Sequence, residues 1–139
     1  MFDSVVVGAD DSDTAAKAVE EAIGLVKLAG GALHLVTAYK PNSASAKGLP
    51  SEFQNVVLAN GHAQGLLDDL ASRARAGSVT VKTHALKGDP AQALVAVAER
   101  EKADLIVVGS KGMQRKVLAS IPNTVAHQAP CSVLIVKTV

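Results

Sequence analysis

The sequence predicts an α/β fold, an open parallel sheet with helices on both faces. Three observations lead there. Short apolar runs rich in β-branched residues alternate strictly with segments of helical period, in the order β-α-β-α-β-α-β-α-β. Two of those runs, Val5–Val7 and Leu105–Val108, are apolar at every position, as strands covered on both faces must be. The chain has 139 residues, enough for one domain over 1–139 that buries roughly two thirds of its unfolded surface.

The elements follow in order. A strand over Ser4–Ala9 leads into a helix whose Ala15, Ala18, Val19, Ala22, Ile23 and Val26 fall on one face. Gly30-Gly31 stops it. The second strand covers Ala32–Ala38. Lys40–Pro50 is polar and reads as a connector rather than a functional lid. Ser51-Glu52-Phe53-Gln54 has the form of a capping box. The helix after it sets Val56, Ala59, Ala63, Leu66, Leu67, Leu70 and Ala74 on one face and ends at Gly77. Ser78–Leu86 sets Val79 and Val81 against Thr80 and Lys82, the alternation of a strand near a sheet edge. Asp89-Pro90 supplies an N-cap and a first-turn proline for a helix carrying Ala91, Leu94, Val95 and Ala98. A strand over Asp104–Gly109, a weaker helical pattern at Val125 and Ala129, and a strand over Ser132–Lys137 complete the chain.

Composition excludes several function classes. A formal net charge of +1 gives no broad electrostatic reason to bind nucleic acid or anionic lipid. Aromatics are 2% of residues, too few for base-stacking platforms. The single Cys131 rules out an internal disulfide and a cysteine-based zinc cluster. It heads a β-branched strand and reads as a buried core residue rather than a nucleophile. No apolar stretch is long enough to span a membrane. The Met1–Val7 start lacks the basic and long apolar regions of a signal peptide, so a cytoplasmic protein is expected.

Catalytic constellations are absent from the sequence. His34, His62, His84 and His127 have no ligand spacing, and His34 and His84 read as packed or exposed strand residues. Asp68-Asp69 sits mid-helix as a solvated face. A nucleophile elbow, a Walker loop and the dinucleotide glycine fingerprint are all missing. An enzyme is not expected.

In an open parallel sheet, ligands bind beyond the carboxyl ends of the strands where the strand order reverses. Three stretches end strands in that way. Asp10 directly follows a buried strand, where a carboxylate can accept ribose hydroxyls; Asp11, Ser12 and Asp13 read as helix-capping residues. Ala38-Tyr39 ends the second strand and can offer backbone groups to a base edge, with Tyr39 as packing. Gly109-Ser110-Lys111-Gly112 follows the most apolar strand and suits a phosphate cradle, since glycines let backbone N–H groups approach oxyanions.

These residues resemble the universal stress protein family over nearly the whole chain. The stretches that carry the resemblance are Val5 to Ser12, Gly88-Asp89-Pro90, Ala103 to Gly112 and Ala129 to Val136. The resemblance implies a Rossmann-like sheet of order 3-2-1-4-5 and homodimers built through the last strand, Ser132–Val136. An exposed apolar edge strand independently invites such pairing. Many family members bind ATP, and some bind AMP or cyclic AMP. By the same resemblance Asp10 is the ribose-side aspartate, Ala38 the backbone contact to adenine, Gly88 a rim residue, and Gly109, Lys111, Gly112 and Ser120 the phosphate side. A magnesium ion would accompany the triphosphate.

One departure stands out. The family signature is G-x-x-G, nine residues, then G-[ST]. Here Gly109-x-x-Gly112 matches, but the pair aligned with G-[ST] is Ala119-Ser120, only six residues on. The shorter loop predicts a weakened hold on ATP. The alternative reading is a nucleotide-free stress-response dimer acting through a protein partner.

Overall fold

The structure is a computed structural model that describes residues 2–10, 12–39, 51–110 and 121–138, with 51–61 as backbone. Its strands are β1 (Ser4–Gly8), β2 (Ala32–Tyr39), β3 (Thr80–Lys87), β4 (Leu105–Ser110) and β5 (Ser132–Lys137). Between them run α1 (Asp13–Ala29), α2 (Ser51–Ala76), α3 (Pro90–Arg100) and α4 (Ile121–Gln128). Every strand pair is parallel and the order is β3-β2-β1-β4-β5. This is the predicted α/β architecture, with β3 at an edge as its alternation required.

The alternation of side chains along β1 builds two cores. Val5 and Val7 face α1 and α2, where they meet Val19, Val26, Leu67 and Leu70. Val6 faces the other way, with Ile106 and Val108, toward Leu94 and Val97 of α3 and Val125 of α4. Val5, Val6, Val7, Ile106 and Val107 are wholly excluded from solvent. Burying each such side chain contributes about 1.5–3 kcal/mol, so the central strands hold the two layers together.

Among the described residues the helix signals at Ser12, Gly30 and Asp89 work as read, and those at Gly31 and Gly77 do not. Ser12 caps α1, its Oγ accepting the Ala15 N–H at 3.1 Å. Gly30 ends α1 with φ +80°, and its N–H reaches the Val26 carbonyl at 2.8 Å. A Cβ on Gly31 would lie 2.5 Å from the Phe2 carbonyl oxygen, so the second glycine serves close approach instead. Asp89 caps α3 through its Oδ2 and the Gln92 N–H at 3.1 Å. At the end of α2 the left-handed residue is Ser78 (φ +65°), not Gly77. That turn delays β3 to Thr80. The Lys40–Pro50 connector and the side chains of the capping box lie outside the described residues.

Cys131 is half-buried rather than a full core residue, packing at the margin of the α3–α4 layer. Burial, with a smaller contribution from Asp104, pushes its thiol pKa up, which suits an inert thiol. Among the described residues no helix is long and apolar enough to cross a membrane. None of the groupings of His, Cys, Asp and Glu reaches three potential metal ligands there.

Candidate functional site

The sheet order fixes where a crevice can open. From β1 the chain moves through α1 to β2 on one side, and β4 lies on the other side of β1. The connections therefore diverge between the carboxyl ends of β1 and β4, the switch point where ligands bind in such sheets. Asp10 lies just past the end of β1, and Gly109-Ser110 ends β4. Ala38 and Gly88 lie at the ends of β2 and β3, so these four predicted residues share one rim.

Asp10 is exposed, and its Oδ1 accepts the Ser12 N–H at 2.7 Å. That bond turns the chain from β1 into the cap of α1. It also fixes the carboxylate at the mouth of the switch point, with Oδ2 as the remaining acceptor.

Backbone alternation explains Ala38. The last paired residue of β1 is Gly8, opposite Val36, and the Val36 carbonyl accepts the Ala9 N–H at 2.7 Å. Ala38, two residues on, aims its N–H and C=O the same way. Those groups therefore point past the end of β1, toward the crevice. Tyr39 points oppositely, its carbonyl accepting the Gly88 N–H at 2.9 Å.

Gly88 has φ +124° with open space around its missing side chain. It is glycine for conformation, letting the chain leave β3 and enter the Asp89 cap. Gly109 is glycine for space. A Cβ there would stand 2.7 Å from both the Cγ2 and the carbonyl oxygen of Thr14 in α1. The first turn of α1 thus packs directly on the end of β4. Lys111, Gly112 and Ser120 fall outside the described residues.

The bracing of the rim from behind is not legible in the sequence. Thr138, buried just after β5, gives its N–H (2.9 Å) and its hydroxyl (3.0 Å) to the Ser110 carbonyl. Lys17 of α1 donates to the Thr138 carbonyl at 3.0 Å. This clamp ties the tail, α1 and the last residue of β4 together. No local motif could have signalled it, because its partners are far apart in sequence.

The family model for the universal stress proteins matches residues 1–137. The chain belongs to the universal stress protein family. A universal stress protein of Mycobacterium tuberculosis is 35% identical over 143 aligned residues, covering 99% of this chain and 97% of the relative. Another, from Methanocaldococcus jannaschii, is 30% identical, covering 99% of this chain and 83% of its own. Among solved structures, a universal stress protein in complex with cAMP superposes with a TM-score of 0.79 at 32% identity, covering 99% of both chains. The observed strand order is the one the resemblance implied for a universal stress protein, and helices on both faces are what the β-α alternation predicted.

Proposed function

We propose that this universal stress protein is a regulatory module that binds an adenine nucleotide at the crevice between β1 and β4. One observation carries the reading: the rim of Asp10, Ala38, Gly88 and Gly109 stands at the switch point of a fold whose 32%-identical relative was crystallised with cAMP. Asp10 accepts a ribose hydroxyl on Oδ2 while Oδ1 stays on the Ser12 N–H. Ala38 meets the adenine edge with its N–H and C=O. Phosphate is held from Gly109 onward, with Lys111, Gly112 and Ser120 supplying charge and donors. The segment from Gly112 to Ser120 is shorter than the family signature by three residues. Two charge-assisted hydrogen bonds fewer, at roughly 1.5–3 kcal/mol each, weaken ATP about a hundredfold or more. AMP and cAMP are therefore preferred, and magnesium matters only for the triphosphate. In this reading the protein is a cytoplasmic binder and not an enzyme.

Calorimetric titration of the protein with ATP, AMP and cAMP, with and without magnesium, tests it. Micromolar binding of a monophosphate is expected, and Asp10→Ala should weaken it about tenfold or more, the worth of roughly one such hydrogen bond. Absence of heat at millimolar ligand, with an unmoved melting temperature, sinks the nucleotide reading.

A second reading then gains ground, a nucleotide-free homodimer that acts through a protein partner. It draws on the outer edge of β5, where Leu134 and Ile135 are 41% and 47% exposed. Pairing of Ser132–Val136 with the same strand of a second copy would cover that edge. The homodimer itself is common to both readings.

A further inference from the structure

Away from the rim, two imidazoles meet on the α3 face of the sheet. His34 of β2 pairs in register with Lys82, and His84 of β3 with Val36, so the two rings are diagonal neighbours on one face. His34 Nδ1 lies 3.0 Å from His84 Nε2. On the far side of His84, Nδ1 lies 3.1 Å from the Arg100 guanidinium, in the last turn of α3. His34 is 4% exposed and His84 half-buried.

The donors fix every proton in this chain. Arginine only donates, so His84 Nδ1 accepts. A neutral His84 then carries its proton on Nε2 and donates to His34 Nδ1. His34 in turn carries its own proton on Nε2. The series Arg100→His84→His34 is complete only when both rings are neutral. A proton added to His84 goes to Nδ1 and opposes the Arg100 donor. One added to His34 goes to Nδ1 and opposes the His84 N–H. The first break sets two positive charges against each other, and the second sets two N–H donors head to head.

Geometry selects a proton over a metal as the shared ligand. The ring centroids are 5.2 Å apart, longer than the 3.0 Å N···N distance by about the sum of two ring radii. The nitrogens therefore point head-on at each other instead of converging on a third point, as ligands of one ion must.

We infer that His34, His84 and Arg100 form a proton-sensitive latch that holds edge strand β3 to β2 and to the end of α3, and that acid opens it. The charged groups around the latch pull in both directions, and burial outweighs them. Lys82 of β3, Arg100 of α3 and, for His84, a charge on His34 disfavour added charge; Glu101, the residue after α3, favours it; and the β1 neighbour of His34 in register is the apolar Val6. Glu101 is partly engaged by Arg100 at 3.7 Å. Burial is the largest influence on both rings, and their pKa values lie below the usual 6.5. The unfolded chain therefore takes up protons first as pH falls. Stability from the latch is full above about pH 6.5 and is lost as pH drops from there through the folded-state values.

The test is urea unfolding of the intact protein from pH 8 to pH 5, beside His34→Gln, His84→Gln and the double variant. As pH falls, the wild-type unfolding constant should rise more steeply than that of the double variant, by up to two protons' worth. Each single variant should lie between. Coincident slopes for wild type and double variant overturn the latch. Nitrogen NMR of the wild-type imidazoles needs no variant. It should find both rings protonated on Nε2 at neutral pH and titrating below 6.5, with β3 amides losing exchange protection in acid ahead of those in β1. A Nδ1 proton on either ring at neutral pH, or equal acid loss in β1 and β3, overturns it.

Discussion

Gly109 stands at the rim and beneath α1 at once, and Gly109→Ala separates the two demands. The added Cβ would meet Thr14 Cγ2 and the Thr14 carbonyl oxygen, each at 2.7 Å. Relaxed carbon contacts lie at about 3.5–4.0 Å, so the overlap approaches an ångström. Rotation of the Thr14 side chain relieves one contact only. The other is backbone in the first turn of α1, and that turn must retreat. Overpacking of this kind costs about 1–3 kcal/mol. With a urea slope of about 1–3 kcal/mol per molar, the midpoint should fall by about 1 M. The assay is urea unfolding without ligand, repeated with Thr14→Ser, which removes Cγ2 but leaves the carbonyl. That second change should recover part of the loss and not all of it. An unmoved midpoint for Gly109→Ala, combined with lost nucleotide affinity, would refute the packing argument and make the glycine a ligand residue alone.

Three further outcomes are expected. Ile106→Ala removes a fully buried side chain flanked by Val6 and Val133 in register. It should cost about 2–5 kcal/mol by chemical denaturation; under 1 kcal/mol would mean the α3–α4 face is loosely packed. Asp89→Ala deletes the cap of α3 and should lower stability by about 0.5–2 kcal/mol, with an unchanged melting curve counting against the Gln92 bond. On the proposed homodimer, Ile135→Lys sets a charge on the β5 edge and should shift sedimentation from dimer to monomer while leaving the fold intact; a wild type that sediments as a monomer removes that dimer, and a variant dimer that persists moves the interface elsewhere.

What the sequence made legible follows from the range of each interaction. Val5–Val7 and Leu105–Val108 declare buried strands because burial on both faces leaves no polar position. Asp89-Pro90 and Gly30 declare helix ends because capping is settled within a few residues. Asp10, Ala38 and Gly109 could be assigned to one rim because strand ends in an alternating α/β chain all emerge on the same side, and Gly88 was added to them by the family resemblance. The histidine pair was out of reach. His34 and His84 meet only through the register of β2 on β3, which no local pattern encodes. The Thr138 clamp on Ser110 is hidden for the same reason. At Gly77 a local rule misled, because the neighbouring Ser78 accepted the left-handed turn. Gly109 was legible as a site residue, but its packing against Thr14 was not.

The position of β1 also governs how the chain can be made. It is the first strand to be synthesised, yet its two neighbours are β2 and β4. Asp104 binds the Asp3 and Ser4 N–H groups across separations of 101 and 100 residues. A nascent chain therefore carries an open, strongly apolar strand edge until most of its length has left the ribosome. Such edges pair with whatever strand they meet, and non-local closure is slow. The β1-β2-β3 half can form early through nearby contacts, but its exposed side stays adhesive until β4 arrives. In this protein, the centre of the finished sheet is the part of the growing chain most in need of protection.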